Sequence, residues 1–253
     1  MSIVSHKHKF VFLKTRKTAG TSISAVLAGL CDYEDILALS KDVMVSSDLK
    51  RTNIKIPVRN IPPLLLAKHL FRTLIDSLDL IRGRKKIGDI ELLPTFKQHM
   101  IAKDLKQILG PKIWNNYYKF TIERNPFDRL VSFYNWRSHR FNVKCEFDEF
   151  ALSALKNTGK YKHIASGFSN VPFYSLDNKT LCLDNVMKFE NLEVDFKKAL
   201  IDIGISNFDD LSLPKYKSGI RTEFSYREFY NTSLKELAED KFKTEANLFG
   251  YKF

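Results

Sequence analysis

The chain has 253 residues, of which 44% are hydrophobic and 13% aromatic, which supplies a large core and excludes a disordered chain. Its length fits one globular domain. Lys and Arg outnumber Asp and Glu by 41 to 29, giving a net charge of +12. Such an excess favours an anionic partner, whether nucleic acid, a membrane surface, a polyanionic glycan or a phosphorylated cofactor.

Several classes are excluded by what the chain lacks. The cysteines are odd in number and far apart, which argues against a disulfide framework or a CxxC metal site; they are Cys31, Cys145 and Cys182. The most apolar long stretch, residues 61–81, is interrupted by charges and does not predict a membrane-spanning helix. A strand-like run at residues 9–14 leaves no room for a signal peptide, so we expect a cytoplasmic protein.

The first thirty residues predict a strand, a tight loop and a helix. Phe10–Leu13 is a short continuous apolar run, typical of a buried parallel strand. Residues 14–22 are small and polar, and Ile23–Leu30 has a helical pattern.

The later segments alternate between helix and strand patterns. We predict a helix at Ala102–Leu109 ended by Gly110-Pro111, a strand at Tyr117–Glu123, a helix at Phe127–His139 capped by Asn125, a hairpin at Pro172–Leu183 turning at Asp177-Asn178, a strand at Val186–Phe189, and helices at Leu192–Ile203 and Thr232–Leu248. This alternation predicts an α/β fold of three layers, with a central, mostly parallel sheet flanked by helices.

Residues 41–99 differ from the rest of the chain. They hold four prolines, one amphipathic stretch at Leu64–Ile81, and 12 Lys or Arg against 6 Asp or Glu. We interpret them as an insertion within a single domain that covers residues 1–253.

The first motif lies between the first strand and its helix and reads Lys17-Thr-Ala-Gly-Thr-Ser22. A helix N-terminus offers backbone N–H groups without partners and a partial positive charge, so it attracts anions. Gly20 allows close approach of the backbone, and Lys17 adds a full charge. The motif differs from a Walker A loop, in which the Lys follows the last glycine. The alternative is that its hydroxyls only cap the helix while Lys17 is solvated.

The second motif, Arg124-Asn-Pro-Phe-Asp-Arg-Leu-Val-Ser132, also lies where a strand leads into a helix. Ligands of open α/β sheets bind at this edge. An Arg guanidinium suits bidentate phosphate contact, and Ser132 lies about two helical turns further on, so both side chains can converge on one phosphate. The alternative is that Arg124 pairs with Asp128 and Ser132 bonds within its own helix.

Together the two motifs resemble the signatures of sulfotransferases that use 3′-phosphoadenosine 5′-phosphosulfate (PAPS). Lys17–Ser22 matches that family's loop for the 5′-phosphosulfate, and Arg124–Ser132 matches its Arg-[Asn/Asp]-Pro-x-x-Arg-x-x-Ser segment for the 3′-phosphate. The chain is most similar to Golgi carbohydrate sulfotransferases, of the heparan 2-O and chondroitin types, and to bacterial family-2-like relatives. The resemblance implies their P-loop-like fold. Two positions depart from the family pattern: Arg16 replaces a usual Pro, and Glu123 replaces a usual apolar residue.

The resemblance also implies the reaction and its residues. A sulfuryl group would pass from PAPS to a hydroxyl of a carbohydrate acceptor, with release of adenosine 3′,5′-bisphosphate and no metal. Lys17 and His99 would be catalytic, with His99 as general base, although a surface His that caps the next helix is the alternative. Lesser candidates for the base are His69, His139 and His163. Cofactor binding is assigned to Lys17, Thr18, Ala19, Gly20, Thr21, Ser22, Arg124, Ser132 and, in a later loop, Ser218 and Arg221.

The expected partner is a carbohydrate acceptor, anionic or lipid-linked, on the surface of a bacterial cell or in a precursor of it. Residues 41–99 would bind this acceptor, cover the core as a solvated segment, or rest on an anionic membrane surface. Two other functions stay open on the residues alone. One is a P-loop-like kinase or NTPase, although GxxxxGK[ST] is missing. The other is a non-enzymatic polyanion-binding protein, although no nucleic-acid-binding signature is present and we expect no nucleic acid partner.

Overall fold

A computed structural model describes residues 2–38, 98–206 and 225–253, together with residue 96, residues 213–214 and single positions between residues 67 and 82. The predictions for Ser218 and Arg221, and most of the predicted insertion at residues 41–99, lie outside the described residues.

The described residues form a five-stranded sheet. Its strands, in chain order, are β1 (Ile3–Ser5), β2 (Phe10–Leu13), β3 (Ile36–Leu37), β4 (Tyr118–Glu123) and β5 (Asn185–Lys188). They lie in the order β3-β1-β2-β4-β5. β2, β4 and β5 are parallel to one another, whereas β1 is antiparallel to both β2 and β3. The sheet is therefore mixed, and the predicted parallel arrangement applies to β2, β4 and β5. A turn of four residues joins β1 to β2, which is too short for a parallel connection.

Helices cover both faces of the sheet. The helices are α1 (Gly20–Leu30), α2 (Ala102–Asn116), α3 (Pro126–Phe141), α4 (Phe147–Lys156), α5 (Lys162–Ala165), α6 (Val171–Tyr174), α7 (Leu192–Asp202), α8 (Thr232–Lys241) and α9 (Lys243–Phe249). Phe10 and Phe12 of β2 pack with α1 and α7, while Val11 and Leu13 pack with α2 on the opposite face. Alternate side chains of a strand point to opposite faces, so both faces of β2 are apolar.

The predicted hairpin and the predicted final helix differ from the structure. The predicted hairpin at Pro172–Leu183 is wrong in its strands, because α6 occupies the first of them and only one bridge joins Ser175 to Leu181. Its turn is present, since the Asp177 carboxylate accepts hydrogen bonds from the backbone N–H groups of Lys179 and Thr180. The predicted final helix is two helices, which break at Phe242.

The parallel strands place the two motifs side by side. Leu13, the last residue of β2, pairs with Thr121 of β4, so both strands end at the same edge of the sheet. The loop at residues 14–19 leaves β2 at this edge, and Arg124 leaves β4 there. This edge is where open α/β sheets bind ligands.

Candidate functional site

The loop between β2 and α1 has an unusual backbone. Lys17 and Ala19 have φ angles of 61° and 57°, in the left-handed region that side chains other than Gly seldom adopt. Ala19 caps α1 without a side-chain hydrogen bond, and in the described part of the chain no acceptor takes the N–H groups of Gly20 and Thr21. A left-handed residue that leads directly into a helix turns successive N–H groups into one concavity, which binds anions.

Lys14, which the sequence analysis did not select, crosses this concavity. Its Nζ donates to the Thr21 hydroxyl at 2.9 Å. Its side chain passes over Gly20 so closely that a Cβ there would lie 2.7 Å from Lys14 Cγ. Gly20 is therefore required for this packing, and a second lysine lies beside Lys17 at the loop.

Some hydroxyl groups near the loop between β2 and α1 are buried, and others are partly exposed. Thr18 is buried and its hydroxyl lies 2.8 Å from that of Thr15, which donates to the carbonyl of Ile122 in β4. This chain of hydrogen bonds attaches the loop to the sheet. Thr21, in contrast, is half-buried and directs its hydroxyl to Lys14.

Arg124 connects the second motif to the first. Its Nε and Nη2 donate to one oxygen of Asp128, at 2.9 and 2.7 Å, and its Nη1 donates to the Lys17 carbonyl at 3.3 Å. The guanidinium also stacks on Phe189, 4.4 Å from the ring centre. The pairing with Asp128 that the sequence offered as the alternative is thus present, and it orients the guanidinium beside the loop between β2 and α1.

Ser132 follows on the same helix. Asp128 and Ser132 are four residues apart in α3, so they lie on one face about 6 Å apart along the axis. Ser132 is half-buried. Arg124 reaches this face through Asp128, which brings the predicted pair to one side of α3.

Asn170, which belongs to neither sequence motif, binds the backbone of the loop between β2 and α1. Its side chain accepts a hydrogen bond from the Arg16 N–H at 2.9 Å and donates to the Arg16 carbonyl at 3.1 Å. The same amide donates to Glu123 at 3.3 Å. Asn170 lies 154 residues from Arg16 in the chain, so no local pattern could have indicated the contact.

Glu123 belongs to a buried ion-pair network. It pairs with Arg129 at 2.7 Å, and Arg129 pairs with Glu245 at 3.0 Å; all three are buried. Burial opposes the charge on Arg129, but the two carboxylates outweigh it and raise the Arg129 pKa. Glu123 accepts a hydrogen bond from the Arg124 backbone N–H at 2.8 Å, whereas the Arg124 guanidinium donates to Asp128.

Arg16 lies where the family that the chain resembles usually has Pro, and its side chain contacts other residues of the protein. Its guanidinium donates to the Gly167 carbonyl and lies 5.2 Å from the centre of the Phe173 ring. Burial lowers the Arg16 pKa, and the nearby Arg137 and Arg129 lower it further. The substitution therefore adds a partly buried cation beneath the loop.

His99 lies against the same loop. Its Nδ1 is 3.0 Å from the Lys14 carbonyl, and its ring meets Phe173 edge-on. A carbonyl only accepts, so Nδ1 carries the proton and Nε2 keeps a lone pair. Burial, with the positive charges of Lys14 and Arg16, lowers the His99 pKa to about 3. The neutral ring can accept a proton at Nε2, but a ring with a pKa of about 3 is a weak base until nearby negative charge raises that pKa.

The other predicted histidines do not join this site in the described structure. His139 and His163 are exposed, and His69 lies outside the described residues. Among the described residues, no group of three or more His, Cys, Asp or Glu side chains could hold a metal ion. No helix in the described part of the chain is both long and apolar enough to cross a bilayer.

Comparison with known proteins agrees with this geometry. A family model described as "Sulfotransferase family" matches residues 1–252, nearly the whole chain. The chain is also similar to an uncharacterised protein of Archaeoglobus fulgidus, with 32% identity over 110 residues, which are 42% of this chain and 83% of the archaeal protein.

Proposed function

Since this chain belongs to the sulfotransferase family, we propose that it transfers a sulfuryl group from PAPS to a hydroxyl of a carbohydrate, with release of adenosine 3′,5′-bisphosphate. The observation that carries this proposal is the contact of Arg124 with the Lys17 carbonyl, since it joins an anion-binding loop to a second phosphate-type motif. A nucleotide with phosphates at both its 5′ and 3′ positions matches two such motifs. The P-loop-like three-layer arrangement implied by the resemblance is part of the same proposal.

The residues of the loop fit the 5′-phosphosulfate. The N–H groups of Gly20 and Thr21 lie at the start of α1, where they would bind an anion, and Lys14 and Lys17 would supply positive charge there. Arg124, oriented by Asp128, and Ser132 would hold the 3′-phosphate. The two hydrogen bonds that Arg124 donates to one oxygen of Asp128 keep the guanidinium in place before the nucleotide binds.

The proposed transfer is an in-line displacement at sulfur. The acceptor oxygen forms a bond to sulfur while the bond from sulfur to the 5′-phosphate oxygen breaks, and the hydroxyl proton passes to His99 Nε2. Negative charge builds on the leaving phosphate, where Lys17 and the loop N–H groups stabilise it. The products are a sulfate ester and adenosine 3′,5′-bisphosphate.

We place the enzyme in the cytoplasm, since all three cysteines are free thiols. A peripheral contact with an anionic membrane is a further part of this proposal. Six large apolar side chains between residues 70 and 81 are exposed, and the wider stretch around them, residues 41–99, holds 12 Lys or Arg against 6 Asp or Glu; the six are Leu70, Phe71, Leu74, Ile75, Leu78 and Ile81. An apolar helix face beside Lys and Arg residues suits the interface of an anionic bilayer.

The reaction is tested by chromatographic detection of adenosine 3′,5′-bisphosphate after incubation with PAPS and a panel of neutral and acidic oligosaccharides. We expect its release to depend on an acceptor and to fall at least roughly 100-fold in Lys17→Met. Lys103→Met, on an exposed part of α2, is the matched control. Release of phosphate from ATP, with none of the bisphosphate from PAPS, would instead support the kinase or NTPase alternative.

A further inference from the structure

The last two turns of α3 carry a group of cations stacked on aromatic rings. The Arg137 guanidinium lies 4.7 Å from the centre of the Trp136 ring, and that of Arg140 lies 5.7 Å from the same ring. The Lys17 ammonium is 5.5 Å from this ring as well. We call Trp136, Arg137 and Arg140 the Trp136 patch. Its contact with Lys17 places the patch directly beside the anion-binding loop.

Among the described residues, no carboxylate neutralises the patch. In the described part of the chain, no Asp or Glu carboxylate pairs with Arg16, Arg137 or Arg140. The buried Nε of Arg137 also has no hydrogen-bond acceptor there. Burial lowers the Arg137 pKa, and Arg140 lowers it further.

Arg129 lies about two turns before Arg137 on the same helix and is a cation with a structural role. Arg129 is buried between two carboxylates, and those pairs offset the cost of its burial. The Arg137 guanidinium stacks on aromatic rings and pairs with no carboxylate of the described residues. Its N–H donors can therefore bind a ligand. This contrast indicates an anion-binding surface at the patch.

The position of the Trp136 patch along α3 indicates which part of the substrates would bind there. Asp128, Ser132 and Trp136 follow one another at intervals of four residues on α3, each about 6 Å further along the axis. Arg124 and Ser132 hold the 3′-phosphate in the proposed function, and Lys17 lies at the sulfuryl group. Trp136 continues this line past Ser132 and touches Lys17, so it lies on the acceptor side.

We propose that the Trp136 patch binds an acidic sugar of the acceptor and selects for it. The indole packs against the apolar face of a pyranose ring, and Arg137 and Arg140 bind its carboxylate or sulfate group. The inference rests on the proposed function, because it names the acceptor class for the same site. The proposal places the residues that select the acceptor on α3, whereas the sequence predicted acceptor binding by residues 41–99.

The test compares two probes that differ only in charge. One is an oligosaccharide of alternating glucuronate and N-acetylglucosamine, and the other is its carboxyl-reduced, neutral form. Their dissociation constants are measured by calorimetry at constant ionic strength, with adenosine 3′,5′-bisphosphate bound. For the wild-type protein we expect at least roughly tenfold tighter binding of the acidic probe.

Two variants separate the roles of charge and ring. Arg137→Gln with Arg140→Gln is expected to abolish the preference for the acidic probe, and Trp136→Leu to weaken both probes alike. The affinity for adenosine 3′,5′-bisphosphate should stay within about twofold in both, which also shows that they fold. Arg227→Gln is the matched control, because Arg227 is exposed and stacked on Tyr226 and Phe253.

Three results would overturn the inference. The first is a wild-type protein that binds both probes equally or binds neither, and the second is a double variant that keeps the preference. The third is a loss of bisphosphate affinity in the double variant, which would assign the patch to the nucleotide instead. Failure of the wild-type protein to bind the bisphosphate would refute the proposed function itself.

Discussion

A backbone carbonyl, rather than a carboxylate, fixes the tautomer of His99. The Lys14 carbonyl fixes the proton on Nδ1, while burial and the neighbouring cations keep the ring neutral, with a pKa of about 3. A bound phosphosulfate would bring negative charge next to the ring and raise its pKa towards the range in which a base is effective. His99 thus contacts the same loop that carries Lys17.

The first prediction concerns how stability depends on pH. The folded protein keeps His99 neutral down to about pH 3, whereas the unfolded chain binds a proton near the ordinary value of 6.5. Protonation therefore favours the unfolded chain between these limits, and stability falls as the pH decreases through them. We expect His99→Gln to reduce this slope of the unfolding free energy by up to about 1.4 kcal/mol per pH unit, measured by urea denaturation.

The matched control for this slope is His163→Gln, since His163 is exposed. It should behave as the wild-type protein does. An unchanged slope in His99→Gln would show that the folded protein does not keep this ring neutral.

At the scale of single residues, the sequence identified those that belong to short motifs. Lys17, Gly20 and Arg124 lie at the sheet edge where they were expected, and His99 lies against the loop. Lys14 was missed because its role depends on packing over Gly20, and that needs coordinates. The roles of these residues in binding and transfer stay predictions.

At the scale of elements, the loop is held by contacts from distant parts of the chain. Asn170 holds the Arg16 backbone through two hydrogen bonds, and Thr15 attaches the loop to the Ile122 carbonyl of β4. These contacts stabilise the left-handed residues that form the anion concavity. A rigid concavity binds an anion without a further ordering cost.

The second prediction is that Asn170→Ala loosens this loop. Loss of its buried hydrogen bonds should reduce the unfolding free energy by about 1–3 kcal/mol and weaken the binding of adenosine 3′,5′-bisphosphate. Urea denaturation and calorimetry measure the two effects. Asn116→Ala, at the exposed end of α2, is the control. Unchanged nucleotide affinity in Asn170→Ala would show that the loop does not depend on this side chain.

The third prediction concerns the ion pairs that link β4, α3 and α9. Replacement of Arg129 by Met leaves Glu123 and Glu245 buried without their partner, so we expect a loss of about 3–5 kcal/mol in the unfolding free energy. Arg227→Met, on the exposed surface, should be nearly neutral in the same urea experiment. A loss as small as that of the control would mean that the buried carboxylates find other partners.

Local patterns predicted some elements better than others, for physical reasons. Phe10–Leu13 was predicted with its observed bounds, because a fully apolar run bounded by Lys is a clear strand pattern. Gly110 ends the first part of α2 as predicted, since its φ of 71° breaks the helix, although Pro111 then begins further helical turns. The strands β1 and β3 were missed because their two or three residues carry no periodic pattern, and only pairing in the sheet forms them.

At the scale of the whole molecule, the fold brings part of the net charge of +12 to the edge of the sheet where anions are expected to bind. Lys14, Lys17 and Arg124 surround the loop, and Arg137 and Arg140 extend the positive surface along α3. Composition alone allowed four kinds of anionic partner. Only the fold brings these residues, which are more than 100 positions apart in the chain, to one edge of the sheet.

The central claim is that the two motifs form one site for a nucleotide with a 3′-phosphate. A calorimetric titration with adenosine 3′,5′-bisphosphate, AMP and ATP tests it most directly, because AMP lacks only the 3′-phosphate. We predict that the bisphosphate binds roughly 10–100-fold more tightly than AMP, and that Arg124→Lys removes most of this difference, as expected for a charged bidentate contact. Equal affinity for the bisphosphate and AMP, or tighter binding of ATP than of either, would contradict the claim.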